Sequence, residues 1–138
     1  MGNKIVIDDG RKEYTIENKF GEELGRFSLN PSDTNMVKRY DEVVEDFARL
    51  DDMIKEDNLI ESMKEAEKYI TDKLDYIPGY KVANSFFSVM GAFTPLASGK
   101  LYIETVLEAI GGVISSETGA RVKKLTTNMS KYTRKYHG

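Results

Sequence analysis

The residues of this chain that could do chemistry are few, and their spacing argues against most of it. His137 is the only histidine, so a His-based triad or a His metal cluster cannot be assembled within one chain. Cysteine is absent, which removes thiol nucleophiles, disulfides and Cys-ligated zinc together. The adjacent carboxylates Asp8-Asp9, Asp51-Asp52 and Glu56-Asp57 would hold Mg²⁺ or run glycosidic acid–base chemistry only if they converged from separate elements in one pocket. A solvated acidic face accounts for them more simply. Gly99-Lys100 has the ending of a phosphate-binding loop, but Thr94 stands where its first glycine is needed and no hydrophobic strand leads into it. No catalytic, metal-ligating or cofactor-binding residue is assigned, and the sequence reads as that of a non-enzymatic protein without a cofactor.

Charge is distributed unevenly. Residues 1–120 carry 14 Lys/Arg against 23 Asp/Glu, whereas Arg121, Lys123, Lys124, Lys131, Arg134 and Lys135 follow without a single acid. Interleaved with these cations are Leu125, Met129, Tyr132 and Tyr136, a combination that could neutralise phosphates and stack on bases. The acidic remainder would repel a polyanion over most of the surface, so nucleic acid is disfavoured and a protein partner, or a second copy of the chain, is the better fit. No run is long and apolar enough for a membrane span.

The elements that must position these residues follow from hydrophobic periodicity. Residues 4–8 and 11–17 are β-favouring runs separated by Asp8-Asp9-Gly10, a hairpin-turn signal, and Leu24–Leu29 alternates as a third strand. Ile5, Ile7, Tyr14, Ile16, Phe27 and Leu29 then form one apolar face, which a helix must cover. Asn30-Pro31 ends the strands. Pro31 suits a first helical position, Asn30 an N-cap and Asp33 the third position of a capping box. Apolar residues from Met36 to Ile54 recur at three- and four-residue steps, and a second stripe runs from Leu59 to Ile77 after Asn58, a candidate N-cap paired with Glu61. Whether residues 31–77 form one kinked helix or two is open at this point. Thirteen of the acids lie in residues 41–75, against five bases.

Residues 80–99 read as a short buried helix, with Phe86, Phe87, Met90 and Phe93, followed by a loop. A further helix begins at Leu101 and contains Gly111-Gly112, each costing about 1 kcal/mol against alanine in a helix interior, so a kink or a close helix contact is expected there. The expected fold is α+β. It comprises one domain over residues 1–120, with a three-stranded antiparallel β-meander (1–30) and a body of about four helices (31–120), then a basic C-terminal helix over 121–138.

Taken in order, these features resemble the tail assembly chaperones of long-tailed bacteriophages of Gram-positive hosts. The resemblance rests on a β-meander leading to Phe27-Ser28-Leu29-Asn30-Pro31-Ser32-Asp33 and a helix with Lys38-Arg39-Tyr40, on a long acidic helical middle, and on the closing pattern. In that pattern Tyr102-Ile103-Glu104-Thr105-Val106-Leu107-Glu108-Ala109-Ile110 is followed by Arg121 to Lys124 and Ser130-Lys131-Tyr132-Thr133-Arg134-Lys135-Tyr136. It implies a chaperone in the host bacterial cytoplasm that binds the tape measure protein, aids tail tube assembly and self-associates. The competing expectations are a phage- or prophage-encoded inhibitor of a host enzyme and, third, a nucleic-acid binder acting through the basic tail. The expected partner-binding residues are Phe86, Phe87, Met90 and Phe93 together with the apolar and basic residues of the tail named above.

Overall fold

The computed structural model describes residues 2–117. Within them the chain runs β1 (Lys12–Glu17), β2 (Glu23–Leu29), α1 (Thr34–Phe47), α2 (Leu50–Met53), a single 3-10 turn (Glu56–Asn58), α3 (Leu59–Tyr76), α4 (Ala83–Phe87) and α5 (residues 102–117). The class is α+β, with two antiparallel strands and five helices among the described residues.

β1 and β2 pair from Lys12 opposite Leu29 to Glu17 opposite Glu23, with Leu24 as the extra residue where the register shifts past Ile16. Asn18 makes the turn between them, its side-chain oxygen accepting the N–H groups of Phe20 (2.9 Å) and Glu22 (3.1 Å). Two strands cannot stand alone in water, and the inner face of this pair is covered by aromatic packing. The Tyr14 and Phe27 rings stack at 5.5 Å, and Phe27 meets Phe86 of α4 at 4.8 Å. Among the described residues, the Tyr14 hydroxyl is enclosed without a hydrogen-bond partner.

The core is helical, and Leu29 enters it from the end of β2. Met36 and Val43 of α1 meet Ile70 and Leu74 of α3, and Ile103, Val106, Ile110 and Ile114 of α5 close the other side. The three- and four-residue steps within each helix place these side chains on one stripe. α4 is set at its angle by two contacts. Asp75 Oδ1, near the end of α3, accepts the N–H groups of Val82 and Ala83, both at 2.8 Å, satisfying donors that α4 leaves unpaired at its start. At the other contact the Ser85 carbonyl approaches Gly25 so closely that a Cβ there would lie 2.9 Å away.

Several sequence expectations are revised. Residues 4–8 carry no strand, so a three-stranded meander is not formed; Ile5, Val6 and Ile7 stand in the open. The turn residues before β1 bond to side chains instead of closing a hairpin. Gly10 N–H donates to Asp8 Oδ1 (2.9 Å), Arg11 N–H to Asp9 Oδ1 (3.0 Å), and the Asn30 amide to the Asp9 carbonyl. Asn30 is thereby taken from the capping role, and α1 starts three residues later than Pro31, with Asp33 as N-cap accepting Asn35 N–H at 2.9 Å.

The helical stripe expected to reach Ile54 breaks after Phe47. There Ala48 N–H bonds Glu45 O (3.2 Å) and Arg49 N–H bonds Asp46 O (3.3 Å), the tighter turn typical of a helix end. Residues 31–77 therefore hold α1, α2 and α3, and not one kinked helix. Asn58 occupies the N-cap position of α3 without a side-chain cap bond. The buried Ser62 ties down the approach to α3 by accepting Lys55 N–H at 3.0 Å. α5 runs unbroken through Gly111-Gly112, and the expected close contact is present, made by Tyr40.

Candidate partner-binding groove

An apolar groove of about 940 Å³ opens where the far end of the hairpin, α4 and α5 meet. Its floor is α5, which presents Tyr102, Val106 and Ala109. Phe86, Val89 and Met90 form one wall, Ile16 and Leu24 the other, and Leu96 comes from the loop before α5. Glu17, Asn18 and Lys19 supply a polar rim. Phe20, on the same turn, is 74% exposed.

Each wall has a local cause. Leu24 is the bulged residue of β2, and a bulge re-aims a side chain that strict alternation would have sent to the solvent face with Arg26 and Ser28. Tyr102 is anchored by its hydroxyl, which donates to the Phe86 carbonyl at 2.9 Å, and its ring meets Phe87 edge-on at 6.3 Å. Burial pushes the Tyr102 phenol above its ordinary pKa, so it is a neutral donor at physiological pH. Apart from Glu17 and Lys19 at its rim, the side chains that line the groove are uncharged.

Of the residues named from sequence, Phe86, which is buried, and Met90 both line the groove. Phe87 backs the floor through Tyr102. Phe93 is turned elsewhere, into a separate hollow of about 300 Å³ shared with Val44, Phe47 and Leu107. Arg121, Lys123, Lys124, Leu125, Met129, Lys131, Tyr132, Arg134, Lys135 and Tyr136 lie outside the described residues. Sequence reasoning missed Leu24, Val89, Leu96 and Val106. Only Leu24 carried a usable signal, as a leucine on the polar parity of its strand.

The acidic pairs remain apart. Asp8 and Asp9 serve the turn before β1, while Asp51, Asp52, Glu56 and Asp57 are exposed on α2 and the 3-10 turn. Among the described residues no three His, Cys, Asp or Glu side chains are grouped to hold a metal ion, and no helix is long and apolar enough to cross a membrane. Lys100, the phosphate-loop lookalike, bonds the Glu108 carboxylate. Comparison of the chain with protein-family models, with curated proteins and with solved structures finds no match.

Proposed function

We propose that this chain is a non-enzymatic tail assembly chaperone of a long-tailed bacteriophage, acting in the host bacterial cytoplasm. It holds an apolar helical stretch of the tape measure protein until tail tube subunits replace it. The observation that carries this reading is the groove: a preformed apolar trough flanked by an exposed phenylalanine. Support also comes from the acidic helical middle and the closing sequence pattern, which resemble that family.

The physics is that of a helix laid in a groove. Anchors spaced three and four residues apart fill the trough between Leu24 and Val89, and the removal of both apolar surfaces from water drives binding. The acidic α1–α3 face keeps the chaperone dispersed and selects partners with basic flanks.

Co-expression with the tape measure protein tests this. The wild type is expected to keep the tape measure soluble and to co-purify with it. Leu24→Asp and Leu96→Asp, which place a charge in the trough at partly exposed positions, should abolish recovery of the complex while leaving the chaperone's own urea midpoint nearly unchanged. A tape measure that stays insoluble and unbound beside the wild type overturns the reading.

A further inference from the structure

Residues 4–8 are an arm with an apolar centre that packs on nothing among the described residues. Ile5 and Val6 are each 87% exposed and Ile7 is 76% exposed, although β-branched side chains in such a run favour a paired, half-buried strand. The sheet offers such a strand a place. In the β1–β2 register, Glu13 stands opposite Ser28 and Thr15 opposite Arg26.

The Ser28 carbonyl accepts the Tyr80 hydroxyl at 2.7 Å and the Arg26 carbonyl the Ser85 hydroxyl at 2.6 Å. These two residues therefore turn their backbone polar groups away from β1, and the outer edge of β2 is closed by side chains. Residues directly opposed in an antiparallel ladder share that orientation, so Glu13 and Thr15 turn their N–H and C=O groups to the outer edge of β1. Among the described residues no strand pairs there, and a row of unpaired backbone groups is a template for another chain.

We propose that residues 4–8 of one copy add to the outer edge of β1 of a second copy, and reciprocally, so that a two-fold dimer completes a three-stranded sheet in each half. The arm is held away from its own β1. The turn itself carries it away: Gly10 N–H donates to Asp8 Oδ1 and the Asp9 carbonyl accepts the Asn30 amide.

Charge selects the register. Ile5 and Ile7 must lie on the inner face with Tyr14 and Ile16, which allows Ile5 opposite Tyr14 or opposite Ile16. The first sets Lys4 opposite Thr15, between Glu13 and Glu17, with Asp8 opposite Arg11. The second pairs Lys4 with Glu17 but sets Asp8 against Glu13, a like-charge pair that offsets it. The first is therefore the register of the exchange, with Val6 opposite Glu13. This dimer holds whether or not the tape measure protein is the groove's occupant.

The chain has no cysteine, so a cross-link reports the pairing directly. Val6→Cys and Glu13→Cys are made as separate full-length proteins, mixed and oxidised. Opposed Cα atoms in such a pair lie about 5.5 Å apart, within disulfide reach, and a disulfide-linked heterodimer is expected. Both positions are exposed in the single chain, so folding, checked by circular dichroism, should be unaffected.

Val6→Pro, which removes an N–H that the exchanged ladder uses, should weaken self-association in sedimentation equilibrium about tenfold or more. Three results would overturn the proposal. They are absence of the heterodimer, closure of the disulfide within one chain in the Val6→Cys/Glu13→Cys double variant, and a monomeric mass through the micromolar range.

Discussion

Gly111 and Gly112 are adjacent in α5, yet their surroundings assign them opposite roles. A Cβ at Gly111 would overlap the Tyr40 hydroxyl, whereas one at Gly112 would meet nothing within 4 Å. Tyr40 needs that gap because its hydroxyl donates to the Leu107 carbonyl, one turn back along α5, at 2.8 Å. Gly112→Ala should stabilise the fold by about 0.5–1 kcal/mol, the ordinary gain in a helix interior. Gly111→Ala should destabilise it by about 1–3 kcal/mol, because overpacking and the displaced hydrogen bond outweigh the same gain. Urea unfolding of the two variants should move the midpoint in opposite directions. The glycine pair was visible in the sequence as an anomaly. Which of the two mattered was not, because the deciding atom belongs to a tyrosine on α1. Asn30 and Asp33 pose the same problem: both are N-cap residue types, and the choice fell to Asp33 because the Asn30 amide donates to the Asp9 carbonyl and its Oδ1 accepts the Ser32 hydroxyl.

At the scale of elements, periodicity located α1, α3, α5 and both strands, since each buries one stripe or one face and so writes its own period into the sequence. It also wrote a strand period at residues 4–8, where the structure has none. Alternation encodes a β-competent segment and says nothing of where its partner is. α4 was legible only as an apolar patch. Its five residues are too few to form a helix unaided, and the element is made by Asp75, seven and eight residues before the N–H groups it caps. Asp75→Ala should therefore cost about 3–6 kcal/mol, since each of the two bonds to its carboxylate is worth roughly 1.5–3 kcal/mol and the N–H groups of the buried Val82 and Ala83 would be orphaned. Asp75→Asn keeps an acceptor and should lose about half as much, and the two are compared by chemical denaturation. The groove was the least legible feature. It joins a bulge in β2, the tail of α4 and the flank of α5, and no local pattern links Leu24 to Leu96 or Val106.

At the scale of the molecule, the titrating groups with displaced pKa values all point one way among the described residues, which gives the pH dependence of stability an alkaline limb. Burial raises the Tyr14, Tyr40 and Tyr102 phenols above their usual value, with Glu117 and Glu108 adding to the effect at Tyr14 and Tyr40. Hydrogen bonds to Asp46 and Glu108 raise the Lys73 and Lys100 ammonium groups. A group whose folded pKa is raised binds its proton more tightly in the folded chain than in the unfolded one. Its contribution is complete below the unfolded pKa and is lost as pH rises through the folded value. For these tyrosines and lysines the loss begins near pH 10, where the unfolded chain starts to release protons that the folded chain retains.

The expected profile is a stability that declines steadily above about pH 10. Tyr102→Phe separates this linkage from simple packing. Loss of the hydroxyl that donates to the Phe86 carbonyl should lower stability at neutral pH by about 1 kcal/mol, and the alkaline slope should become shallower because one linked proton is gone. Denaturant titrations of both proteins from pH 7 to about pH 11 measure the two effects independently. A variant with an unchanged slope would show that the Tyr102 proton is uncoupled from folding.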